Sequence, residues 1–464
     1  MIYSRMMPFV VAAALFMEHV DSTVISTSLP AIAADLDSDP VLLKLAFTSY
    51  LLSLAVFIPL SGWTADRFGA KHIFRIAMIV FTLGSIGCGL STTLWQLIAA
   101  RAVQGIGGAM MVPVGRLIIL SIVPKSDLVR ALSYLALPAL IGPMIGPPIG
   151  GFITTYFHWR WIFLINVPFC LLALALATAY VPTLDVRERR PLDVTGVLLT
   201  GFGLSSLVFG ATIISSRVLP LSIVLALVVM GMALLTLYVF HARRTPHPVL
   251  DLSLLSIPTF HANIVGGFLF RVGTGAVPFL LPLMLQLSFG LTAFQSGALT
   301  FAGAAGALVM KTTAGPILHR FGFKRVLVVN ALISAFFLAL TAAFTPETPH
   351  ALIIAVLLMA GFFRSLQFTS LQAIAYAVVP EGKMSNATSF VSVAQQLSVS
   401  AGVAVAAMVL EILREARGHL QLALSDFSTA FLVIACISAA CSLLHLRLPA
   451  GAGSELIRRR KDGA

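Results

Sequence analysis

The stretches Arg67-Phe68-Gly69-Ala70-Lys71 and Arg320-Phe321-Gly322-Phe323-Lys324 repeat one pattern, Arg-Phe-Gly-x-Lys, and they decide how this chain is built. Each follows a glycine five residues before its arginine, at Gly62 and Gly315. Each also lies in a short polar gap between two long apolar runs. The repeat indicates corresponding hairpins in two halves of the chain.

A second repeat supports the duplication. The pattern Arg-x-x-Gln occurs one apolar run after each hairpin, at Arg101/Gln104 and at Arg364/Gln367. Duplicated helical bundles place a substrate site between their halves and work by rocking one half against the other. A membrane transporter is therefore the leading prediction.

The composition is that of a membrane protein. Of the 464 residues, 58% are hydrophobic and only 10% are charged, and the mean hydropathy is +0.98. A soluble domain carries about 25% charged residues. Apolar runs of roughly 20 residues, the length that spans a bilayer as a helix, recur from end to end. We therefore expect the lipid bilayer to surround most of this chain.

The net charge of +12 does not indicate a nucleic-acid partner, because the basic residues are unevenly distributed. Twenty of the 30 Lys and Arg residues lie in alternate gaps or at the termini, and five lie in the opposite gaps. Such a bias places the basic side in the cytoplasm. Both termini are predicted to be cytoplasmic, which requires an even number of spans.

The predicted fold is an all-α integral membrane protein with 14 transmembrane helices. Its organisation is a six-helix bundle (1–181), an inserted two-helix hairpin with flanking loops (182–258), and a second six-helix bundle with a basic tail (259–464). The insertion follows from the second hairpin repeat, which falls two spans later than twelve spans would place it. The predicted spans are 7–32, 43–65, 72–93, 95–122, 128–156, 160–181, 192–214, 219–240, 259–287, 292–316, 325–345, 350–379, 385–411 and 427–447.

Two acids lie deep in the first predicted span. Glu18 and Asp21 are three residues apart and therefore share one helix face. A carboxyl group in a partly dry cavity beside another carboxyl group retains its proton more readily, which suits proton coupling. The alternative is that Asp21 forms an ion pair with an arginine such as Arg101. The two interpretations are compatible, since an arginine that approaches in one state would expel the proton.

Basic residues inside the spans outnumber these acids by five to two. Each charge at the centre of a membrane helix costs about 2.5–3.5 kcal/mol on insertion scales, so such groups usually face a cavity or a partner. Guanidinium groups suit carboxylates, and the basic residues therefore predict a substrate site for anions. The rival interpretation is that some of them are gate or scaffold groups. Besides Arg101, the basic residues are Arg116, Arg271, Lys311 and Arg364.

Small residues and prolines are concentrated in the fifth predicted span, between Gly142 and Gly151, and predict a hinge or a tight helix contact. The ninth span is also expected to be broken by Gly and Pro, with Arg271 in the irregular part. The four cysteines show no metal-ligand spacing and are interpreted as small core residues. They are Cys88, Cys170, Cys436 and Cys441.

Several ordered motifs resemble the major facilitator superfamily, specifically its fourteen-span drug:proton antiporter family. Residues 19–30, His-Val-Asp-Ser-Thr-Val through Leu-Pro, resemble the first-helix motif of that family. Residues 62–71 resemble the superfamily's loop motif, although Thr64 and Ala70 depart from it. Residues 97–108 carry the fourth-helix motif, and residues 159–168 resemble the opening of the sixth helix. The antiporter motif is matched by Gly142, Gly146, Pro147, Gly150 and Gly151.

The resemblance implies roles for the matching positions. Asp21 would carry the proton, assisted by Arg101, with Glu18 beside it. The Gly-Pro stretch would seal the cavity and set the direction of antiport. The cytoplasmic gate would comprise Gly62, Asp66, Arg67, Gly69 and Lys71, with Arg320 and Lys324 in the second half.

The expected function is proton-coupled export by alternating access from a bacterial inner membrane, in a multi-pass monomer. The energy source would be the proton gradient, and neither an organic cofactor nor a metal is expected. The first substrate hypothesis is amphipathic drugs or related small molecules. The alternative is small organic anions, such as carboxylates or metal–carboxylate chelates, bound by Arg116, Arg271, Arg364 and Lys311. Nutrient import and intramembrane enzyme activity are remote alternatives, and the chain is not expected to be an enzyme.

Overall fold

The computed structural model describes residues 2–25, 28–37, 44–183, 191–213, 220–417 and 422–456, and these residues form helices joined by short connections, without a strand. The basic tail Arg458–Lys461 lies outside the described residues. The α-helices are α1 (Ile2–Val24), α2 (Leu29–Asp35), α3 (Lys44–Phe57), α4 (Ser61–Phe68), α5 (Ala70–Leu90), α6 (Leu94–Ile122), α7 (Leu128–Tyr156), α8 (Trp161–Leu164), α9 (Asn166–Tyr180), α10 (Val194–Ile213), α11 (Leu221–Ala242), α12 (Pro258–His261), α13 (Gly267–Gly275), α14 (Val277–Leu287), α15 (Ala293–Phe321), α16 (Phe323–Leu340), α17 (His350–Ala375), α18 (Met384–Arg417) and α19 (Leu424–His445).

The two Arg-Phe-Gly-x-Lys stretches adopt the same conformation. In each, one helix ends at the phenylalanine and the next begins directly after the glycine, so the predicted polar gap is a single residue wide. Gly69 has φ 86° and ψ 131°, and Gly322 has φ 73° and ψ 159°. Residues with a Cβ rarely adopt this region, which explains the glycine at both positions.

Replacing Gly322 by alanine is expected to lower the free energy of unfolding by about 1–3 kcal/mol, because the new residue would hold a strained positive φ. A Cβ at Gly322 would meet nothing within 4 Å, so the backbone strain acts alone. Gly315→Ala is the matched control, since Gly315 is helical and equally open. Thermal unfolding of the purified protein measures both variants. Equal effects at the two positions would contradict the conformational explanation.

Twelve helices of the described residues are long and apolar enough to cross a membrane. Two further helices, α7 and α10, lie at the remaining predicted spans, 128–156 and 192–214. The all-α membrane fold is thus confirmed, while the count of 14 spans and the side of the termini stay predictions. Below, "the predicted cytoplasmic side" denotes the side that carries the Arg-Phe-Gly-x-Lys turns.

Several predicted spans are divided into shorter helices. In the first, α1 ends at Val24 and α2, whose N-terminal turn holds Pro30, begins at Leu29. The sixth breaks at Ile165 between α8 and α9. The ninth contains a π-helical turn at Ala262–Gly266 and a break at Ala276 before Pro278. The ninth span is therefore interrupted as predicted, and Arg271 lies between the two irregularities, in the nine-residue regular helix α13.

The glycine- and proline-rich segment behaves differently from a hinge. Helix α7 is continuous from Leu128 to Tyr156, and it packs along α1. Gly142 and Gly146 lie at this contact, where a Cβ would approach His19 to 2.6 Å and the carbonyl oxygen of Val20 to 3.1 Å, respectively. The small residues therefore permit a close helix approach, the second of the two predicted alternatives.

The pair α10–α11 bridges the two halves of the chain. Helix α10 packs against α11, against α3 before it and against α18 after it. Leu204 and Val208 of α10 face Ala55 and Ile58 on one side and Val393 on the other. The division at residues 182 and 258 stays a prediction, but the hairpin contacts both halves rather than one.

The loop after α11 is fastened to the second half. Lys383, directly before α18, forms an ion pair with Asp251 at 2.7 Å and donates a hydrogen bond to Ser253 at 2.6 Å. Although partial burial opposes ionisation, hydrogen bonds from Lys383 and Ser253 keep the pKa of Asp251 below its usual value. Tyr238 holds the same loop from α11 through two hydrogen bonds to the backbone of Leu250.

Three of the four cysteines are core residues as expected, namely Cys88, Cys170 and Cys441. Cys436 is exposed on α19, so its interpretation as a core residue was wrong. An apolar run does not distinguish a helix face that packs in the core from one that faces lipid, because both are hydrophobic.

Candidate transport site

Asp21 is the centre of a fully buried polar network between α1, α6 and α9. Arg101 donates a hydrogen bond from Nη1 to Oδ2 of Asp21 at 2.6 Å. The amide groups of Gln104 and Asn166 donate to Oδ1 at 2.9 Å and 2.5 Å. Ionised aspartate accepts all three bonds, and the positive charge of Arg101 compensates its negative charge. The predicted pairing of Asp21 with Arg101 is therefore present in this conformation.

Arg101 is held in place by aromatic rings as well as by hydrogen bonds. Its guanidinium lies 4.3 Å from the ring centroid of Tyr50 and 5.7 Å from that of Phe163. Nη1 also donates to Oε1 of Gln104 at 2.7 Å, and Gln104 in turn donates to Ser85 at 2.7 Å. Arg101 and Gln104 share one face of α6 because they are three residues apart, which is the physical basis of the Arg-x-x-Gln pattern.

Glu18 lies beside this network in a pocket of its own. It is 4% exposed, and the hydroxyl of Tyr50 donates to its Oε1 at 2.9 Å. Nδ1 of His19 lies 3.1 Å from its Oε2. Tyr50 therefore contacts Glu18 with its hydroxyl group and Arg101 with its ring, which places the two intramembrane acids in one connected cluster.

The antiporter-motif residues contact the helix that carries both acids. Gly142 faces His19, and Gly146 faces Thr23 and Val20. Gly150 is buried further along α7, whereas a Cβ added at Gly151 would meet nothing within 4 Å. The side chain of Pro147 lies outside the described part of the chain.

A second polar cluster forms where the two halves meet, around Arg116 of α6. Its guanidinium donates to Gln395 at 2.9 Å, to the hydroxyl of Tyr376 at 3.3 Å and to Ser392 at 3.4 Å. All three partners belong to the second half and all are uncharged. Within the described residues, Arg116 forms no ion pair with a carboxylate.

Arg271 extends this cluster. It is 2% exposed, donates to the side-chain oxygen of Asn263 at 3.1 Å, and is near enough to Arg116 for the two charges to repel each other. Like Arg116, it has no ion-pair partner among the residues that the structure describes. Gln372, one helical turn before Tyr376, is 3% exposed, and neither of its amide atoms has a hydrogen-bond partner there. Two buried cations and an unpaired amide are suited to receive a negatively charged or polar ligand.

Lys311 and Arg364 form no ion pair with an acid in the described part of the chain. Lys311 donates to Thr369 at 3.1 Å, which joins α15 to α17. Arg364 passes Gly303 of α15, and its Nε has no hydrogen-bond partner in the described structure. The structure thus brings Arg116 and Arg271 together, whereas it shows no contact that joins Lys311 or Arg364 to them.

The predicted gate residues of the first half contact α18 on the predicted cytoplasmic side. The hydroxyl of Ser385 donates to Asp66, and Ser61 and Ser389 are hydrogen-bonded at 2.7 Å. Only a residue without a Cβ allows this close approach of α4 to α18, because a Cβ at Gly62 would lie 2.8 Å from the carbonyl oxygen of Ser385. The halves are therefore closed against each other on this side.

The remaining gate residues do not bridge the halves in the same way. Arg67 is exposed and lies over the ring of Trp63 at 5.6 Å. Arg320, also exposed, lies over the neighbouring Phe321 at 5.6 Å. Lys71 and Lys324 occupy corresponding first turns of α5 and α16 and are partly exposed.

Some residues of these clusters were not identified as site residues from the sequence. Ser85, Tyr376, Gln395 and Gln372 are polar residues within apolar helices or at their ends, and that is the only signal the sequence offers for them. Because many buried serine, asparagine and glutamine residues simply bond to their own or a neighbouring backbone, this signal is not selective. Asn166 carries a second signal, because it lies in the motif at residues 159–168.

The geometry can be compared with known proteins. The family model described as Major Facilitator Superfamily matches residues 11–267 and 263–462, which together cover almost the whole chain. The chain belongs to the major facilitator superfamily. The predicted resemblance to this superfamily is thereby confirmed. Membership of the family makes the chain a transporter rather than an enzyme.

Similar curated proteins within the superfamily carry the name "Putative multidrug resistance protein MdtD". One from Cronobacter sakazakii is 36% identical over 98% of this chain and 97% of its own length. One from Pectobacterium carotovorum is 38% identical over 87% of this chain and 86% of its own length. One from Salmonella typhi is 34% identical over 99% and 98%.

Solved structures of the superfamily share the fold at low sequence identity. The human organic anion transporter MFSD10 (TETRAN) has a TM-score of 0.68 at 15% identity, covering 95% of this chain and 99% of its own. The proton:xylose symporter XylE has a TM-score of 0.67 at 16% identity, covering 98% of each chain. At this identity the similarity shows the superfamily fold alone.

Proposed function

We propose that this transporter is a proton-coupled exporter that works by alternating access in a bacterial inner membrane. The observation that carries the proposal is the fully buried pair of Asp21 and Arg101. A buried pair costs desolvation energy and is weak evidence for a stabilising role, so its placement on the first helix of a transporter favours a role in coupling.

The pair can act as a proton switch. With Asp21 ionised, Arg101 is neutralised and the network is complete. A proton on Asp21 would leave the guanidinium charge without a partner, and that charge must then find another acceptor or anion. Protonation is thus linked to a rearrangement of α1 against α6 and α9. Entry of the proton from outside would release cargo, and its loss to the cytoplasm would reset the cavity.

Alternating access is supported by how the halves meet on the predicted cytoplasmic side. The contacts there are hydrogen bonds of serine hydroxyls, one carboxylate and the guanidinium of Arg116 to uncharged partners. Such hydrogen bonds contribute only about 0.5–1.5 kcal/mol each between uncharged groups and about 1.5–3 kcal/mol where one partner is charged, so these few contacts can form and break in every cycle.

Two substrate classes remain under this proposal. The names of the MdtD relatives support amphipathic drugs or related small molecules as the first candidate. Buried Arg116 and Arg271, without a carboxylate in the described structure, favour small organic anions as the second. The variants Arg116→Gln and Arg271→Gln separate the two, since they should abolish transport of an anion and spare that of a lipophilic cation.

Asp21→Asn is expected to reduce cargo-induced proton flux to the level of empty vesicles, because asparagine cannot exchange a proton. The measurement is the collapse of an imposed pH gradient in proteoliposomes on addition of a lipophilic cation, citrate or ferric citrate. Asp35→Asn is the matched control, as a hydrogen bond from Trp159 lowers the pKa of Asp35 and its charge lies outside the bundle. Flux that persists in Asp21→Asn would overturn the proposal.

A further inference from the structure

We propose that Glu18 and His19 hold a second exchangeable proton beside Asp21, so that the transporter exchanges two protons in each cycle. This inference rests on the proposed proton-coupled export and deepens it.

Four titratable or charged groups face Glu18: His19 and Asp21 on its own helix, Tyr50 on α3 and Arg101 on α6. On α6, Gly108 also lies beside Glu18, since a Cβ there would be 3.5 Å from its Cγ, and it carries no charge. Among these groups only Arg101 is a permanent cation, and it is bonded to Asp21 at 2.6 Å. One carboxylate is therefore compensated and the other is not.

The immediate surroundings of Glu18 cannot stabilise a lone negative charge. The single hydrogen bond that it accepts in the described structure comes from the uncharged hydroxyl of Tyr50 at 2.9 Å. Its Oε2 is buried and accepts no hydrogen bond there, although Nδ1 of His19 lies 3.1 Å away. A buried carboxylate without a charged partner takes up a proton, because desolvating its ionised form would cost too much free energy. A proton must then lie either on Glu18 or on His19, in addition to whatever Asp21 carries.

His19 lies between the buried carboxyl group of Glu18 and a more exposed position, so it offers a path for this proton. Its side chain is 26% exposed while that of Glu18 is 5% exposed, so the imidazole connects the buried acid to a more accessible position. Helix α7 packs over the same residue through Gly142. A shift of α7 relative to α1 would therefore change the access of His19, and with it the moment at which the proton is exchanged.

Tyr50 couples the two proton sites. Its hydroxyl bonds Glu18 and its ring faces the guanidinium that neutralises Asp21. A change at either acid is therefore passed to the other through this one side chain. Two linked protons, rather than one, then follow from the arrangement of α1, α3 and α6.

The test measures bound protons in the purified protein, without any cargo. Infrared pH-difference spectra of the carboxyl stretching band and proton release into unbuffered solution are recorded for the wild type, Glu18→Gln, His19→Gln and Asp21→Asn. Glu18→Gln is expected to release one proton fewer than the wild type, with the carboxyl band of Asp21 unchanged. In His19→Gln the proton should move to Glu18 and strengthen the protonated carboxyl band. Glu411→Gln at the exposed end of α18 is the matched control and should match the wild type in the carboxyl region attributed to buried acids.

Proton release that is unchanged in both Glu18→Gln and His19→Gln would overturn the inference. Tyr50→Phe provides a second variant that keeps the ring and its packing, and it should change the position of the Glu18 carboxyl band because the hydroxyl that donates to Glu18 is lost. If cargo transport is found, Glu18→Gln should halve the number of protons exchanged for each cargo molecule. An unchanged ratio would also overturn the inference. Failure of Asp21→Asn to affect flux would instead overturn the proposed function, so the two failures are distinguishable.

Discussion

Arg101→Met is expected to lower the free energy of unfolding by about 3–5 kcal/mol, because it leaves the buried carboxylate of Asp21 without its counter-charge. Asp21 is 0% exposed and would retain only the two amide donors of Gln104 and Asn166. Methionine fills much of the arginine volume, so the loss reports the charge rather than a cavity. Denaturant-induced unfolding of the purified protein in detergent measures the change.

The double variant Arg101→Met/Asp21→Asn should recover most of this stability, since it removes both charges together. Arg364→Met is the matched control from the second half, where the same Arg-x-x-Gln pattern has no carboxylate in the described structure. We expect it to be neutral or stabilising. A double variant as unstable as Arg101→Met alone would show that the ion pair is not what Arg101 provides.

Gly146→Leu is expected to abolish transport and to destabilise the protein by at least about 1–3 kcal/mol, the usual cost of overpacking. A side chain there would overlap Oγ1 of Thr23 and would begin 3.1 Å from the carbonyl oxygen of Val20. Because backbone atoms cannot turn aside as a side chain can, α1 and α7 would have to separate. The separation would displace Asp21, which lies on α1 one residue after Val20.

Gly151→Leu is the control for this experiment, because it belongs to the same motif on the same helix and meets nothing within 4 Å. We expect this variant to fold and to transport cargo at close to the wild-type rate. Transport in proteoliposomes and thermal unfolding are measured for both. An equal loss of transport and stability in Gly146→Leu and Gly151→Leu would show that the contact between α7 and α1 is not the cause of the effect.

The hairpin turns were predictable because their signal is local. A glycine between two apolar runs, repeated in two halves, indicates a position that needs a positive φ, and Gly69 and Gly322 both have one. The membrane fold was predictable for a similar reason, as helix length and hydropathy are properties of single segments. The break at Ile165 does not follow from hydropathy, whereas the break at Ala276 lies among the glycine and proline residues that predicted an interrupted ninth span.

The candidate site was predictable only in part. Spacing places Glu18 and Asp21 on one helix face, but it does not say which helix packs there. Asp21 and Arg101 are 80 residues apart, and their pairing was therefore one of two open interpretations. The contact of Arg116 with Gln395 spans 279 residues and two halves of the chain, and no periodicity in the sequence carries that information.

The position of the inserted hairpin also governs how cargo could arrive from the lipid. Two halves that rock against each other meet along two seams, one between the segment α3–α4 and α18 and one between α7 and α15. Helix α10 lies along the first seam and packs against both of its walls, as Leu204 and Val208 show. The second seam has no such cover among the described helices, and there Pro148 is 3.9 Å from the Cβ position of Gly297. A molecule dissolved in the bilayer would therefore have to displace α10 in order to pass through the first seam.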